Sequence, residues 1–210
     1  MATEQLLLSA VGSPDNWILV AGSTKVVACQ TPDDDATSYI RSGTTANTEQ
    51  RFTLADPADI GAGDTINFVT VRIRHQRAST PAGNIQSSLT VGASTTYGTA
   101  VATGVSFADQ SIQYDDVPGG TGWTLSNLND LIAGVRNTLA RDVHCTTIEV
   151  IVDYTPGSVE TEETAQANRV ETISATPDLV ADQAAALAEE QGIDVVGSWV
   201  VDETLYDPMP

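Results

Sequence analysis

The chain has 210 residues, with 9 Lys+Arg against 28 Asp+Glu and a formal net charge of −19. Phosphate backbones and anionic bilayers attract basic surfaces, so free nucleic acid and membrane surfaces are disfavoured as partners. No stretch approaches 18 consecutive apolar residues, and the opening MATEQLLLSAVGSPDNW lacks the basic start and apolar run of a secretory leader, so synthesis in a cytosol is expected.

Thr, Ser, Val, Ala and Gly dominate the first 155 residues. Runs rich in β-formers at 16–21, 25–30, 37–41, 50–54, 65–76, 84–91, 111–114 and 146–154 are separated by Gly, Pro, Asp and Asn. That spacing predicts an all-β fold, a sandwich or barrel, as one domain over residues 1–155. In 65–76, Ile66, Phe68, Thr70, Arg72 and Arg74 share one face; Asn67, Val69, Val71, Ile73 and His75 share the other, which is apolar near its middle. In 84–91 the apolar side is Ile85, Ser87, Leu89 and Val91. In 146–154, Ile148, Val150, Val152 and Tyr154 oppose Thr147, Glu149, Ile151 and Asp153. Sheets with one buried and one wet face account for this alternation.

One short helix is predicted between the strands. Ser126 is placed to cap residues 127–134, Leu128, Leu131, Ile132 and Val135 fall at helical spacing, and Gly134 serves as terminator. Trp123 reads as the anchor beside that helix, with a ligand-stacking ring as the alternative.

Composition changes after Tyr154. Residues 156–210, an acidic C-terminal arm, carry twelve acidic residues and one basic one, Arg169. A linker too poor in apolar groups to fold alone comes first. Thr176-Pro177-Asp178 then combines a cap, a Pro at the first helical position and an acid near the positive end of the dipole, which predicts a helix over 177–191 ended by Gly192. The run IDVVGSWVV predicts a strand over 193–201 that is apolar on both faces, with Val195, Trp199 and Val201 as candidate interaction residues. Such a strand needs cover, either from its own sandwich or from the open sheet edge of a neighbour.

No Gly-x-Ser-x-Gly, Walker loop, dinucleotide fingerprint or His-Glu-x-x-His is present. No catalytic, cofactor-binding or metal residue is therefore assigned, and the chain reads as non-enzymatic. His144 and Cys145 are neighbours in a predicted strand and point to opposite faces; a tertiary pairing of His75 with either stays open. Cys29 and Cys145, both in predicted strands, read as small buried hydrophobes, and whether they pair stays open. Asp33-Asp34-Asp35 and Asp115-Asp116 read as solvated turns with calcium as the alternative, and Asp56, Asp59 and Asp64 as turn formers. Arg72, Arg74 and Arg77 form the one basic cluster. It pairs either with carboxylates of its own sheet or with the acidic arm of another subunit.

The segments GDTINFVTVRIRHQR, NIQSSLTVGASTTYGT, WTLSNLNDLIAGV and TTIEVIVDYTP carry a resemblance. Across 39–154 the chain is similar to jelly-roll-type structural proteins of tailed bacteriophages, in which a Trp-led short helix precedes a last strand ending V-x-Y. The resemblance implies an antiparallel jelly-roll-like β-sandwich and a non-enzymatic virion component made in the host cytoplasm: a capsid decoration or cement protein whose arm bridges neighbouring subunits. The implied partners are the major capsid protein and copies of itself, and a trimer or other cyclic homo-oligomer fits local shell symmetry. The alternative is a tail or fibre module that binds a host-surface glycan or protein, with the loops at 31–38 and 115–122 as its site. No functional residue carries over from the resemblance.

Overall fold

The computed structural model describes residues 1–30, 37–78 and 80–157. These fold into two antiparallel sheets packed as a sandwich. The first sheet runs β10 (Ala108–Tyr114), β6 (Thr65–Arg77), β12 (Val143–Thr155), β4 (Tyr39–Arg41) and β3 (Ile18–Ala21), with β1 (Ala2–Leu6) pairing the C-terminal half of β12. The second runs β2 (Leu8–Asp15), β5 (Glu49–Leu54), β11 (Ile132–Asn137), β7 (Asn84–Val91) and β8 (Ser94–Tyr97), with β9 (Val101–Ala102) also on β7. From β5 to β7, and again from β10 to β12, each strand lies in the sheet opposite its predecessor. This is a sandwich, one of the two architectures expected from the strand spacing, in the jelly-roll-like form that the resemblance implied.

The core follows from period-two alternation. Val69, Val71 and Ile73 of β6 and Ile148, Val150 and Val152 of β12 are buried against Phe52 of β5, Ile85 and Leu89 of β7, and Ala133 and Val135 of β11. Each such side chain removed from water stabilises the fold by about 1.5–3 kcal/mol. The opposite face of β12 is drier than a wet face should be. Thr147, Glu149 and Asp153 are also buried, because β6 and β1 flank the strand and long side chains such as Arg72 lie across it.

Four features depart from the alternation and spacing. Ile66 faces the core instead of sharing the Phe68 and Arg72 face, because a register shift between Asp153 and Tyr154 lets Asn67 bulge out. There Asn67 donates its amide to Asp153 Oδ1 at 2.6 Å. Residues 25–29 form a helix, α1 (Lys25–Cys29), not a strand. Thr24 caps it by accepting from the Val27 N–H at 3.1 Å, and this local bond outweighs the β-branched pair Val26-Val27. The second helix, α2 (Leu125–Asn129), begins two residues earlier than expected, with Thr124 rather than Ser126 as cap and Asn127 completing a capping box. It stops before Gly134, and Ile132–Asn137 is a strand: Ala133, Val135 and Asn137 point inward. Gly134 is no terminator. A Cβ there would meet Gln50 O at 2.5 Å and Ser88 Oγ at 2.9 Å, so glycine lets three strands lie close. Thus two short helices, not one, accompany the strands among the described residues.

Side-chain amides and carboxylates close the loops. Asn137 is fully buried, and Oδ1 accepts from the Thr48 N–H at 2.9 Å and Thr48 Oγ1 at 2.7 Å. Its Nδ2 donates to Thr45 O at 2.8 Å and Leu139 O at 3.0 Å. One amide thus ties the loop before β5 to the turn after β11. Trp17, 1 % exposed, fills the core beside that loop and donates Nε1 to Thr48 O at 3.2 Å. Asp64 is a turn former as expected. Its carboxylate accepts from the Gly157 and Gly61 N–H groups, both at 2.8 Å, and these bonds hold its pKa below the ordinary value.

Both histidines lie in the first sheet. His75 is 3 % exposed and faces the core, where burial lowers its pKa. His144 packs on Tyr39 with ring centroids 4.4 Å apart; burial lowers its pKa too, Asp142 opposing and Arg41 reinforcing the shift.

Two outcomes are expected. Asn137→Ala leaves the Thr48 N–H without its acceptor and is expected to destabilise the fold by about 3 kcal/mol, read from urea unfolding at unchanged m-value. Because both histidines bind a proton less readily folded than unfolded, they are neutral in both states above their ordinary pKa. Below it the unfolded chain takes up protons first, so stability falls with pH from about 6.5 downward. Thermal unfolding between pH 7 and pH 5 should show this fall, and His75→Leu should make it shallower.

Candidate interaction surfaces

Two surfaces stand out, one at a flank and one at a groove. At the flank, β3 ends the first sheet and β2 ends the second, and α1 packs between them. Helix α1 runs along β2: Lys25 Nζ reaches Asp15 and, at 3.2 Å, Gln50 Oε1, while Gln30 Nε2 donates to Leu8 O at 2.8 Å. Leu19 and Val26 pack inward, and Ala28 and Cys29 are buried. Outward, Ile18 is 49 %, Val20 43 % and Val27 51 % exposed. The β3 register with β4 shifts between Leu19 and Ala21, which leaves Val20 opposite no partner. Beyond β3 no further strand pairs among the described residues.

The groove, of about 730 Å³, lies between residues 96–99, the end of β10 and the loop 115–121. Ile112 and Tyr114 line it from β10. Tyr114 OH bonds Ser87 Oγ at 2.9 Å, and burial raises the phenol's pKa while this bond opposes the rise. At the rim, Gln113 Nε2 donates to Asp115 Oδ1 at 2.6 Å, and Asp116 Oδ1 accepts from the Gly122 N–H at 3.1 Å. The loop sits tightly on β8. Gly119 has φ +79, and any Cβ there would strike Ser94.

Tyr97 joins this groove to a polar network on the outer face of the second sheet. Its ring lies under the Arg136 guanidinium at 4.7 Å, and its hydroxyl donates to Glu49 Oε2 at 3.4 Å. Glu49 is held bidentately by Arg51, with both contacts at 2.9 Å, and accepts from Ser88 Oγ at 3.0 Å. Burial disfavours the Arg51 charge, but Glu49 outweighs it and raises the guanidinium's pKa. The spacing Glu49-x-Arg51 on one strand was a signal available for this network, since i and i+2 share a face. Nothing local to Tyr97 announced it.

The residues singled out in the sequence fall as follows. Arg72 and Arg74 share the outer face of β6, as their spacing implied. Arg72 pairs with Glu149 Oε2 at 2.6 Å and Arg74 with Asp109 Oδ1 at 3.3 Å, both across strands of the same sheet. Arg77 ends the strand and donates its N–H to Gly104 O at 2.8 Å. Trp123 is 7 % exposed, precedes the α2 cap and donates Nε1 to Tyr114 O at 3.0 Å, so it anchors the helix start as expected and its ring is not offered to a ligand. Cys29 and Cys145 are both buried and are not bonded to each other. Cys145 donates to Thr147 O at 3.4 Å and lies directly across the ladder from His75, with both side chains sealed in the core. Val195, Trp199, Val201 and the run Asp33-Asp34-Asp35 lie outside the described residues, as do the predicted helix 177–191 and strand 193–201.

No protein-family model matches the chain, and no curated protein is significantly similar to it. Among solved structures, a CBM35 from Cellvibrio japonicus Abf62 is 10 % identical, with 75 % of this chain and 99 % of that one covered at a TM-score of 0.40. A family 11 carbohydrate-binding module from Clostridium thermocellum, in complex with a mixed-linked tetrasaccharide, is 17 % identical over 77 % of this chain and 99 % of that one, at 0.40. The CBM22-1–GH10 modules of Clostridium thermocellum xylanase 10B, complexed with xylohexaose, are 10 % identical over 74 % of this chain, which spans 29 % of theirs, at 0.41. Similarity at this level assigns neither ligand nor site.

Proposed function

We propose that this chain is a non-enzymatic structural component of a tailed-bacteriophage virion, a capsid decoration or cement protein whose acidic arm bridges neighbouring subunits. The observation that supports the reading is the flank: an open strand edge with exposed Ile18, Val20 and Val27, on a chain that also carries a long arm with an apolar run near its end. Exposed apolar side chains beside an unpaired edge serve assembly and are a liability otherwise. Cementing follows physically, because apolar area buried on several neighbours contributes about 25 cal/mol per Å², offset in part by ordering the arm. The major capsid protein and further copies of the chain are the partners in this reading.

A second reading is favoured by the groove. Tyr97, Gln113, Asp115 and Asp116 set a ring, an amide and two carboxylates around one concavity, a donor and acceptor set suited to a polyol. In this reading the protein is a tail or fibre module that binds a host-surface glycan through the 115–122 loop.

Quantitative mass spectrometry of purified particles tests the first reading. On the order of hundreds of copies, in keeping with a symmetric shell lattice, is the expected result; a handful moves the protein to the tail, and absence from particles ends the virion reading. Particles carrying a chain without residues 156–210 should lose heat resistance while the sandwich still folds. For the second reading, glycan-array binding should be present and should fall at least about tenfold on Tyr97→Ala, as the loss of one ring contact implies. An array without any bound glycan rejects that reading.

A further inference from the structure

Charge is sorted along the strands of the sandwich. The registers of Arg77 with Val143, Arg41 with His144, Asn137 with Ile85 and Asn84 with Ala102 bring the β4–β5, β6–β7, β9–β10 and β11–β12 connections to one end. Backbone bonds lace that end together: Ser42 N–H to Val143 O at 3.0 Å, Ala78 N–H to Asp142 O at 3.1 Å, Arg77 N–H to Gly104 O at 2.8 Å and Thr103 N–H to Gly83 O at 2.9 Å. Arg41, Arg77, Arg136 and Arg141 stand there against one carboxylate, Asp142, while the nearby pairs Lys25–Asp15 and Arg51–Glu49 neutralise themselves. Arg77, Arg136 and Arg141 enter no ion pair among the described residues. Arg136 is nevertheless held in place, between the Tyr97 ring and Asn47 Oδ1 at 2.7 Å. Two apolar side chains are exposed at the same end, Val105 by 68 % and Leu139 by 43 %. At the other end, the connections 55–64, 115–124 and 130–131 carry Asp56, Asp59, Asp64, Asp115, Asp116 and Asp130 and no Lys or Arg.

We infer that this basic end is a docking surface for a protein partner that presents carboxylates around an apolar patch. The inference rests on the capsid reading above for the partner's name and deepens it: the basic end is the face that seats the sandwich on the major capsid protein, with the acidic end turned outward. The chemistry is that of an interface. Guanidinium groups bind carboxylates bidentately, and arginines beside an apolar centre are what docking surfaces carry. Arg41 is available for such a contact, since its side chain is 45 % exposed and its bond to Asp142 is loose at 3.6 Å. A nucleic acid would engage the arginines and leave Val105 and Leu139 in water, so a protein surface is the better complement. The laced loops are ordered before the partner arrives, which lowers the entropy cost of docking. Charge also sets orientation. The chain as a whole is at −19, so an acidic partner meets the sandwich favourably at this end alone.

Rebinding of the full chain to purified particles that lack it tests this, with occupancy read by quantitative mass spectrometry. Wild type should rebind. Arg77→Glu with Arg141→Glu should weaken rebinding by at least about tenfold, because like charges then face each other across the contact. Val105→Ser with Leu139→Ser, both at exposed positions, should weaken it too, whereas Asp56→Lys with Asp130→Lys at the acidic end should leave it unchanged. An unaltered thermal midpoint in each variant separates loss of docking from loss of fold. Rebinding that ignores the arginine reversal overturns the inference and leaves the protein on the particle, so the virion reading stands. Equal loss in the acidic-end variant overturns the inference as well, and so does wild type that fails to rebind; copy number on native particles then judges the virion reading by itself. Light scattering that shows copies associating through these arginines, or duplex DNA retained by wild type and released by the reversal, gives the end to another partner and also overturns the inference.

Discussion

The long antiparallel ladder between β6 and β12, 13 residues in each strand, is the constraint on which the rest of the sandwich depends. It sets the register of the first sheet: β10 hangs from one side of it, and β1 and β4 share the other. A slip of β12 by one residue against β6 would turn Ile148, Val150 and Val152 to the solvent and carry Glu149 and Asp153 into the core, which costs both apolar burial and the desolvation of two carboxylates. Two irregularities, between Cys145 and Thr147 and between Asp153 and Tyr154, bracket the regular stretch and admit one register only. The Arg72–Glu149 pair lies within that stretch and ties the same two strands on the outer face.

Strands were legible where they are long, alternate cleanly and lie centrally, as β6, β7 and β12 do. Short edge strands such as β8 and β9 carry too few residues for a period to appear. The 25–29 segment was misread because two valines weigh toward strand, whereas its helix is held by one local side-chain bond from Thr24. The 132–137 segment was misread because Leu128, Leu131, Ile132 and Val135 satisfy a helical spacing while Ala133, Val135 and Asn137 satisfy a strand spacing; the choice is made by pairing with β5 and β7, which is not local.

The candidate surfaces divide along the same line. That Arg72 and Arg74 share a face could be read from spacing, but their partners Glu149 and Asp109 sit on other strands. The 115–122 loop was visible as a turn, yet the groove beside it exists because β8 and β10, from opposite sheets, meet there. Glu49 and Arg51 become a network with Tyr97 only when β5, β11, β7 and β8 fall into row. Trp123 shows the reverse case: a bulky ring after a glycine-rich loop invites a binding role, and its hydrogen bond to Tyr114 O makes it part of the frame.

The ion pairs of the sandwich have a consequence for its behaviour in bulk. Among the described residues, Lys25, Arg41, Arg51, Arg72 and Arg74 are committed to carboxylates of the same fold. They act as built-in counter-ions, so little positive charge is left to offset the remaining acids on the exterior. To an approaching molecule the protein is a polyanion, and like copies repel once they come within a Debye length, about 8 Å at physiological ionic strength, beyond which salt screens the charge. Crowding many copies onto one surface therefore makes that surface a negative coat whose cohesion rises with salt. Its apolar contacts operate inside that distance, where they act against the repulsion that salt has not screened.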